Sequence, residues 1–205
     1  FVETRPEIIE HAPSYALPII ARANDMDADW KNALSITKDV ERRRGETLAK
    51  RFYFDGADFS VQAEDIQSGG GINVSADKTT LYIAETGGKR IRVAQLSPDG
   101  SIADTSYIGI DSSPDNIDVA PDGQLWVGAH SNVIALAMHF IVGSNAPSQV
   151  LKIDLRQNPP QVEEIYLNAG TQISAGSGGT SYDDGSKLLI GSITARKVLA
   201  CEMES

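Results

Sequence analysis

The chain has 205 residues, a net charge of −10 and a sequence pI near 4.7, a balance that argues against a nucleic-acid backbone as partner. Hydrophobic residues make up 41% and charged residues 22%, proportions of a globular chain long enough for one domain with a real core. The longest apolar run, "VIALAMHFIVG" at 133–143, is too short to span a bilayer.

The opening is Phe1 rather than Met, so the chain reads as processed or incomplete. In "DADWKNALSITKDVERRR" (27–44), Trp30, Leu34, Ile36 and Val40 fall at near-helical intervals behind an Asp27 or Asp29 N-cap. Basic residues 42–44 and then Gly45 close the segment, which predicts a helical insertion near residues 27–44. "KRFYFDG" (50–56) returns to strand.

Three later segments resemble one another. "INVSADKTTLYIAE" (72–85), "IDVAPDGQLWVGA" (117–129) and "TSYDDGSKLLIGS" (180–192) each run strand, Asp-containing turn, strand. Asp-Gly at 122–123 and 184–185 is a strong hairpin signal. Each hairpin is followed by a further strand: "RIRVAQL" (90–96), "QVLKIDL" (149–155) and "KVLACEM" (197–203). Repeats about 40–60 residues apart, each of three or four antiparallel strands, predict an all-β chain built as a β-propeller. Residues 50–205 supply about three blades and residues 1–49 a partial blade plus the helix, all within a single domain, 1–205. An open arc would leave bare sheet edges in water, so the chain is expected to be an N-terminally incomplete half to two-thirds of a ring.

Several stretches carry chemical signals. Asp115-Asn116 before a strand is either turn chemistry or a pair of oxygen ligands. His130 ends the next strand, and Trp126 within it is expected in the core. "VIALAMHFIVG" reads as a strand plus buried loop, or else as an apolar lip facing lipophilic substrates or a membrane surface. "SAGSGGTS" (174–181) lacks the Lys-Ser/Thr ending of a phosphate loop and reads as a connection between blades. Neither a Gly-x-Ser-x-Gly elbow nor a His-Glu-x-x-His motif occurs. Cys201 is the single cysteine, a buried inert thiol or one half of a bridge.

"GGINVSADKTTLYIAE", "DNIDVAPDGQLWVGAH", "APSQVLKIDL" and "KLLIGSITARKVLACEM" occur in the order and near the spacing of the paraoxonase/arylesterase family. The chain resembles the C-terminal part of these calcium-dependent lactonases, six-bladed propellers related to the gluconolactonases. "IIARANDMD" is similar to the family's Thr-Asn-Asp segment.

The resemblance implies a hydrolase of lactones and aryl esters, in which calcium polarises the ester carbonyl for attack by water. It places Asp115, Asn116 and Asn24 on a catalytic calcium, Asp25 on a second, structural calcium, and His130 on the active-site wall. It implies a small lipophilic ester or lactone as substrate and a secreted or lumenal location, and the apolar run at 133–143 adds peripheral contact with a lipid surface. It also implies missing N-terminal blades, on the same or another chain, and a disulfide from Cys201 to a cysteine upstream of Phe1. One departure stands out: Gly70 occupies the place of a calcium-binding asparagine, whereas Asn73 matches a second asparagine that is not a ligand. The alternative is therefore a catalytically silent propeller that binds a partner; a strictosidine-synthase-like enzyme using a glutamate base is weaker still.

Overall fold

A computed structural model describes residues 25–28, 34–43, 46–54 and 59–203, with side chains from residue 60 onward and at 50, 51 and 53. Fifteen strands and one helix lie in this range. The first sheet comprises β1 (Asp25–Ala28), β2 (Leu34–Arg43), β3 (Glu46–Phe54) and β4 (Phe59–Gln67). The second comprises β5 (Gly69–Val74), β6 (Thr80–Glu85), β7 (Arg90–Leu96) and β8 (Ile102–Gly109). In the third, β9 (Ser113–Val119) and β10 (Leu125–His130) precede helix α1 (Val133–Val142), and β11 (Ser148–Asp154) and β12 (Gln161–Asn168) follow it. The last sheet has three strands, β13 (Gly176–Tyr182), β14 (Lys187–Ser192) and β15 (Leu199–Glu202).

Every sheet is an antiparallel meander in which sequence neighbours are also spatial neighbours. The first strands of successive sheets pack together, β1 on β5, β5 on β9 and β9 on β13. This radial stacking around shared inner strands is the propeller arrangement. Apolar layers fill the gaps between blades. Ile66 of the first blade joins Ile72, Leu81 and Ile83 of the second. Tyr82, Ile91 and Ile108 of the second meet Ile117, Leu125, Val127 and Leu151 of the third. Trp126 and Val150 of the third meet Leu188 and Ile190 of the fourth. Because alternate residues of β10 point to opposite faces, Leu125 and Val127 serve one gap and Trp126 the next. A strand covered on both faces therefore reads as the unbroken run "LWVGAH", buried at every position.

The turns use the acidic residues structurally. Asp77, Asp99, Asp122 and Asp154 each accept a hydrogen bond from the backbone N–H two residues on, at 3.1, 3.0, 3.1 and 3.0 Å. Gly123 and Gly185 adopt φ of 81° and 83°, as Asp-Gly hairpins require.

Three sequence expectations need correction. The helix expected near residues 27–44 is not formed: Asp27 and Ala28 belong to β1, and 34–43 is strand β2, paired with β3 from Leu34↔Phe54 to Arg43↔Glu46. Leu34, Ile36 and Val40 fit a two-residue period as well as a helical one, and pairing with "ETLAKRFYF" decides between them. A bulge between Asp39 and Glu41 absorbs the extra residue. The helix lies instead at "VIALAMHFIV", where no residue is buried. Asn132 caps it by accepting the Ala135 N–H at 2.9 Å, and Gly143 closes it in the left-handed region at φ 73°. Finally, 176–182 is the innermost strand of the fourth blade rather than a connection. Its glycines allow close approach: a Cβ on Gly179 would lie 2.7 Å from Val150 Cγ1, and one on Gly176 would lie 2.7 Å from Ser148 Cβ.

Candidate functional site

The starts of β5, β9 and β13 converge beside the end of β10, bringing together Gly69–Gly71, Pro114–Asn116, Ser177–Gly178 and His130. Register explains the pairing of acid and imidazole. His130 stands opposite Ser113 on β9 across a bulge at Val127/Ala129. His130 Nε2 lies 3.0 Å from Asp115 Oδ2. The imidazole is 4% exposed and the Asp115 side chain 23%, so a buried ring braces a carboxylate that still reaches solvent. His130 Nδ1 is buried without a hydrogen-bond partner among the described residues.

Asn116 is tied to the next blade, its Nδ2 donating to the Ser177 carbonyl at 3.1 Å. That bond orients the amide and leaves Oδ1 for a further contact. Thr86 Oγ1 donates to the Pro114 carbonyl at 2.7 Å and anchors the strand just before Asp115. Asn73 bridges inner strands instead, donating to the Ile117 carbonyl at 3.0 Å while its Oδ1 accepts the Val74 N–H at 2.7 Å. Both ends of its amide are thus engaged with the backbone of the inner strands.

Gly70 does face this centre. A Cβ there would lie 2.8 Å from Thr86 Oγ1 and 3.0 Å from the Asp115 carbonyl oxygen, although its φ is not positive. The Thr86 hydroxyl and the β9 backbone at Asp115 thus fill the space that a side chain would need. Gly71 and Gly128 follow the same logic, with a Cβ on Gly128 only 2.2 Å from the Ser177 oxygen.

Among the sequence-derived site residues, the structure brings together Asp115, Asn116 and His130. Asp25 opens β1, with its backbone opposite Thr37; its side chain and all of Asn24 lie outside the described residues. Thr86 and the Ser177 carbonyl were not found from sequence. A threonine at a strand end and a backbone oxygen carry no distinctive residue pattern.

The donor set is hard oxygen, a carboxylate and an amide, which suits calcium in kind. It falls short in number, because calcium takes about six to eight oxygens and one strand presents two such side chains. No group of three acid, histidine or cysteine side chains able to hold a metal occurs among the described residues.

Meander blades packed on shared inner strands, with polar side chains at one end of the axis, define a β-propeller with an axial site. The arylesterase family profile matches residues 33–203, and the chain belongs to that family. It is 32% identical over 155 residues to serum paraoxonase/arylesterase 2 of Rattus norvegicus, covering 74% of this chain and 42% of that protein. The chain spans about half the length of the curated relatives it matches, the aligned part covering 42% of this one and 57% of the Gallus gallus serum paraoxonase/arylesterase 2. Among solved structures, a gluconolactonase from Xanthomonas campestris aligns with a TM-score of 0.54 and 19% identity, over 82% of this chain and 53% of that one. Regucalcin from Agrobacterium tumefaciens, described as a calcium-binding protein, aligns with a TM-score of 0.56 and 19% identity, over 85% and 54%. At that identity the structural likeness carries the fold alone.

Proposed function

We propose that this chain forms part of a calcium-dependent hydrolase of lactones and aryl esters whose site lies where the inner strands converge. The observation that carries the reading is the Asp115–His130 pair beside Asn116, at the axial end of an arylesterase-family propeller. Asp115 and Asn116 would supply a carboxylate and an amide oxygen to calcium, with Asn24 a further ligand and Asp25 a ligand of a second, structural ion. A bound calcium would polarise an ester carbonyl for attack by water. His130 holds Asp115 in place and forms part of the site wall, and the Ser177 carbonyl fixes the Asn116 amide. Thr86 and Gly70 confine the start of β9 from the other side.

Substrates would be small and lipophilic. Helix α1 begins three residues after His130 and exposes Val133, Ile134, Met138, Phe140, Ile141 and Val142. Its length and apolarity fall short of a membrane crossing, but such a surface suits shallow contact with a lipid phase. A secreted or lumenal location is consistent with the serum protein it resembles. The test is hydrolysis of a lactone and of phenyl acetate by the whole protein: activity lost with chelator and restored by calcium supports the reading.

The alternative is a silent binding propeller, favoured by Gly70, whose close packing excludes a ligand side chain there. Calcium binding without hydrolysis of any lactone or aryl ester would support it.

A further inference from the structure

His139 is the single polar side chain of helix α1, and both of its ring nitrogens are engaged. Nδ1 lies 2.5 Å from the Ser144 carbonyl oxygen. Nε2 lies 2.7 Å from the hydroxyl of Thr194, on the connection between β14 and β15. A carbonyl oxygen only accepts, so Nδ1 carries the ring proton and Nε2 accepts the Thr194 O–H. Carbonyl, imidazole and hydroxyl thus stand in the order of an oriented base and its nucleophile. Ser174 Oγ, which accepts the Ala146 N–H at 2.9 Å, lies 3.4 Å from Nδ1 and braces the same side of the ring. Thr194 is exposed, and apolar neighbours flank the pair. Phe140, 57% exposed, meets the imidazole edge-on with ring centroids 5.7 Å apart, and Ile193 beside the hydroxyl is 47% exposed.

We propose that Thr194 is a nucleophile acylated by aryl esters, with His139 as its base, independently of the Asp115–His130 site. Thr194 Oγ attacks the ester carbonyl carbon as its proton passes to His139 Nε2. The bond from the acyl carbon to the aryl oxygen then breaks, and the departing aryloxide takes up the proton from His139. Phe140 and Ile193 offer the aryl ring an apolar surface. The N–H groups of Thr194 and Ala195 already donate to Ser192 Oγ at 3.2 and 3.0 Å, so neither is free to hold an oxyanion. Hydrolysis of the acyl-threonine would have to expel an alkoxide, a far poorer leaving group than an aryloxide. The acyl group therefore accumulates on Thr194 instead of turning over.

The experiment treats the whole protein with p-nitrophenyl acetate in the presence of chelator and locates acetyl groups by peptide mass spectrometry. The step uses no metal, so chelation separates it from the calcium-dependent hydrolysis proposed above. Thr171 is the internal reference, because it is also exposed but its hydroxyl bonds to Asn168 Oδ1 at 3.2 Å and meets no imidazole. Thr194 should acetylate about 100-fold faster than Thr171. His139→Gln keeps a donor and an acceptor for the same two partners but cannot take the proton. It should hold the melting temperature and lower Thr194 labelling to the Thr171 rate, whereas Thr194→Ser should label at least as fast as the wild type. The proposal is overturned if wild-type Thr194 gains acetyl no faster than Thr171, if His139→Gln labels at the wild-type rate, or if nitrophenol is released with no acetyl on Thr194.

Discussion

Glycine and aspartate govern this structure residue by residue. Gly128 lets β10 lie against β13 with no room for a Cβ, since the obstacles are the backbone atoms of Ser177 and Gly178 at 2.2–2.4 Å. Gly128→Ala should therefore destabilise the fold by about 3 kcal/mol, measured by denaturant unfolding. Gly70→Asn would seem to restore a calcium ligand, but its Cβ meets Thr86 Oγ1 and the Asp115 carbonyl. It should cost about 1–3 kcal/mol and leave calcium affinity unimproved, as a calorimetric titration would show. The turn aspartates make stability depend on pH at the acid end. The Arg156 guanidinium holds the Asp154 carboxyl at about 2, below its ordinary 3.8. Hydroxyl and backbone bonds from Ser75 and Thr79, and from Ser101, lower Asp77 and Asp99, and Arg92 lowers Asp65. The unfolded chain thus binds more protons than the native state below about pH 4, so this contribution is present above that value and lost as pH falls toward 2. A melting temperature that falls between pH 4 and pH 2, and less so in Asp154→Asn, is the expected result.

At the scale of elements, what was legible depended on whether a local pattern allowed one reading. The hairpins at 72–85 and 117–129 were plain, because Asp-containing turns separate strands with apolar cores. Strand β2 was not, since Leu34, Ile36 and Val40 satisfy two periods at once and only β3 resolves them. Helix α1 escaped detection because it is apolar on every side, which erases periodicity; its signals were the flanking Asn132 and Gly143. The site was half legible: the Asp115-Asn116 dipeptide is visible in sequence, whereas its bonds to His130 and the Ser177 carbonyl are long-range. If α1 meets lipid, the protein should co-sediment with phosphatidylcholine vesicles. Replacing Ile134 and Ile141, which are 75% and 73% exposed, with aspartate should abolish this without lowering the melting temperature. Asn132→Ala, by contrast, should cost about 1 kcal/mol through loss of the cap, read from unfolding curves.

Considered as a whole molecule, the described chain is an arc of four blades joined by apolar layers, with its polar axial end formed by several strands. The last blade has three strands, and Cys201 on its edge strand β15 is a free thiol in this chain. An additional strand pairing with β15 and a disulfide from Cys201 are proposals; mass spectrometry of the non-reduced whole protein tests the bridge. Under the proposed function the axial carboxylate is the working centre and the turn carboxylates are structural. Asp115 and Asp122 lie in the same blade, yet only the first meets the inner-strand junction, while the second caps the turn at Gln124. The most direct measurement is lactone hydrolysis in saturating calcium by the whole wild-type protein, Asp115→Ala and Asp122→Ala, each verified as folded. The expected result is measurable wild-type activity, a loss of at least about 100-fold in Asp115→Ala and a change within about twofold in Asp122→Ala. Wild-type-like hydrolysis by Asp115→Ala would contradict the role proposed for Asp115.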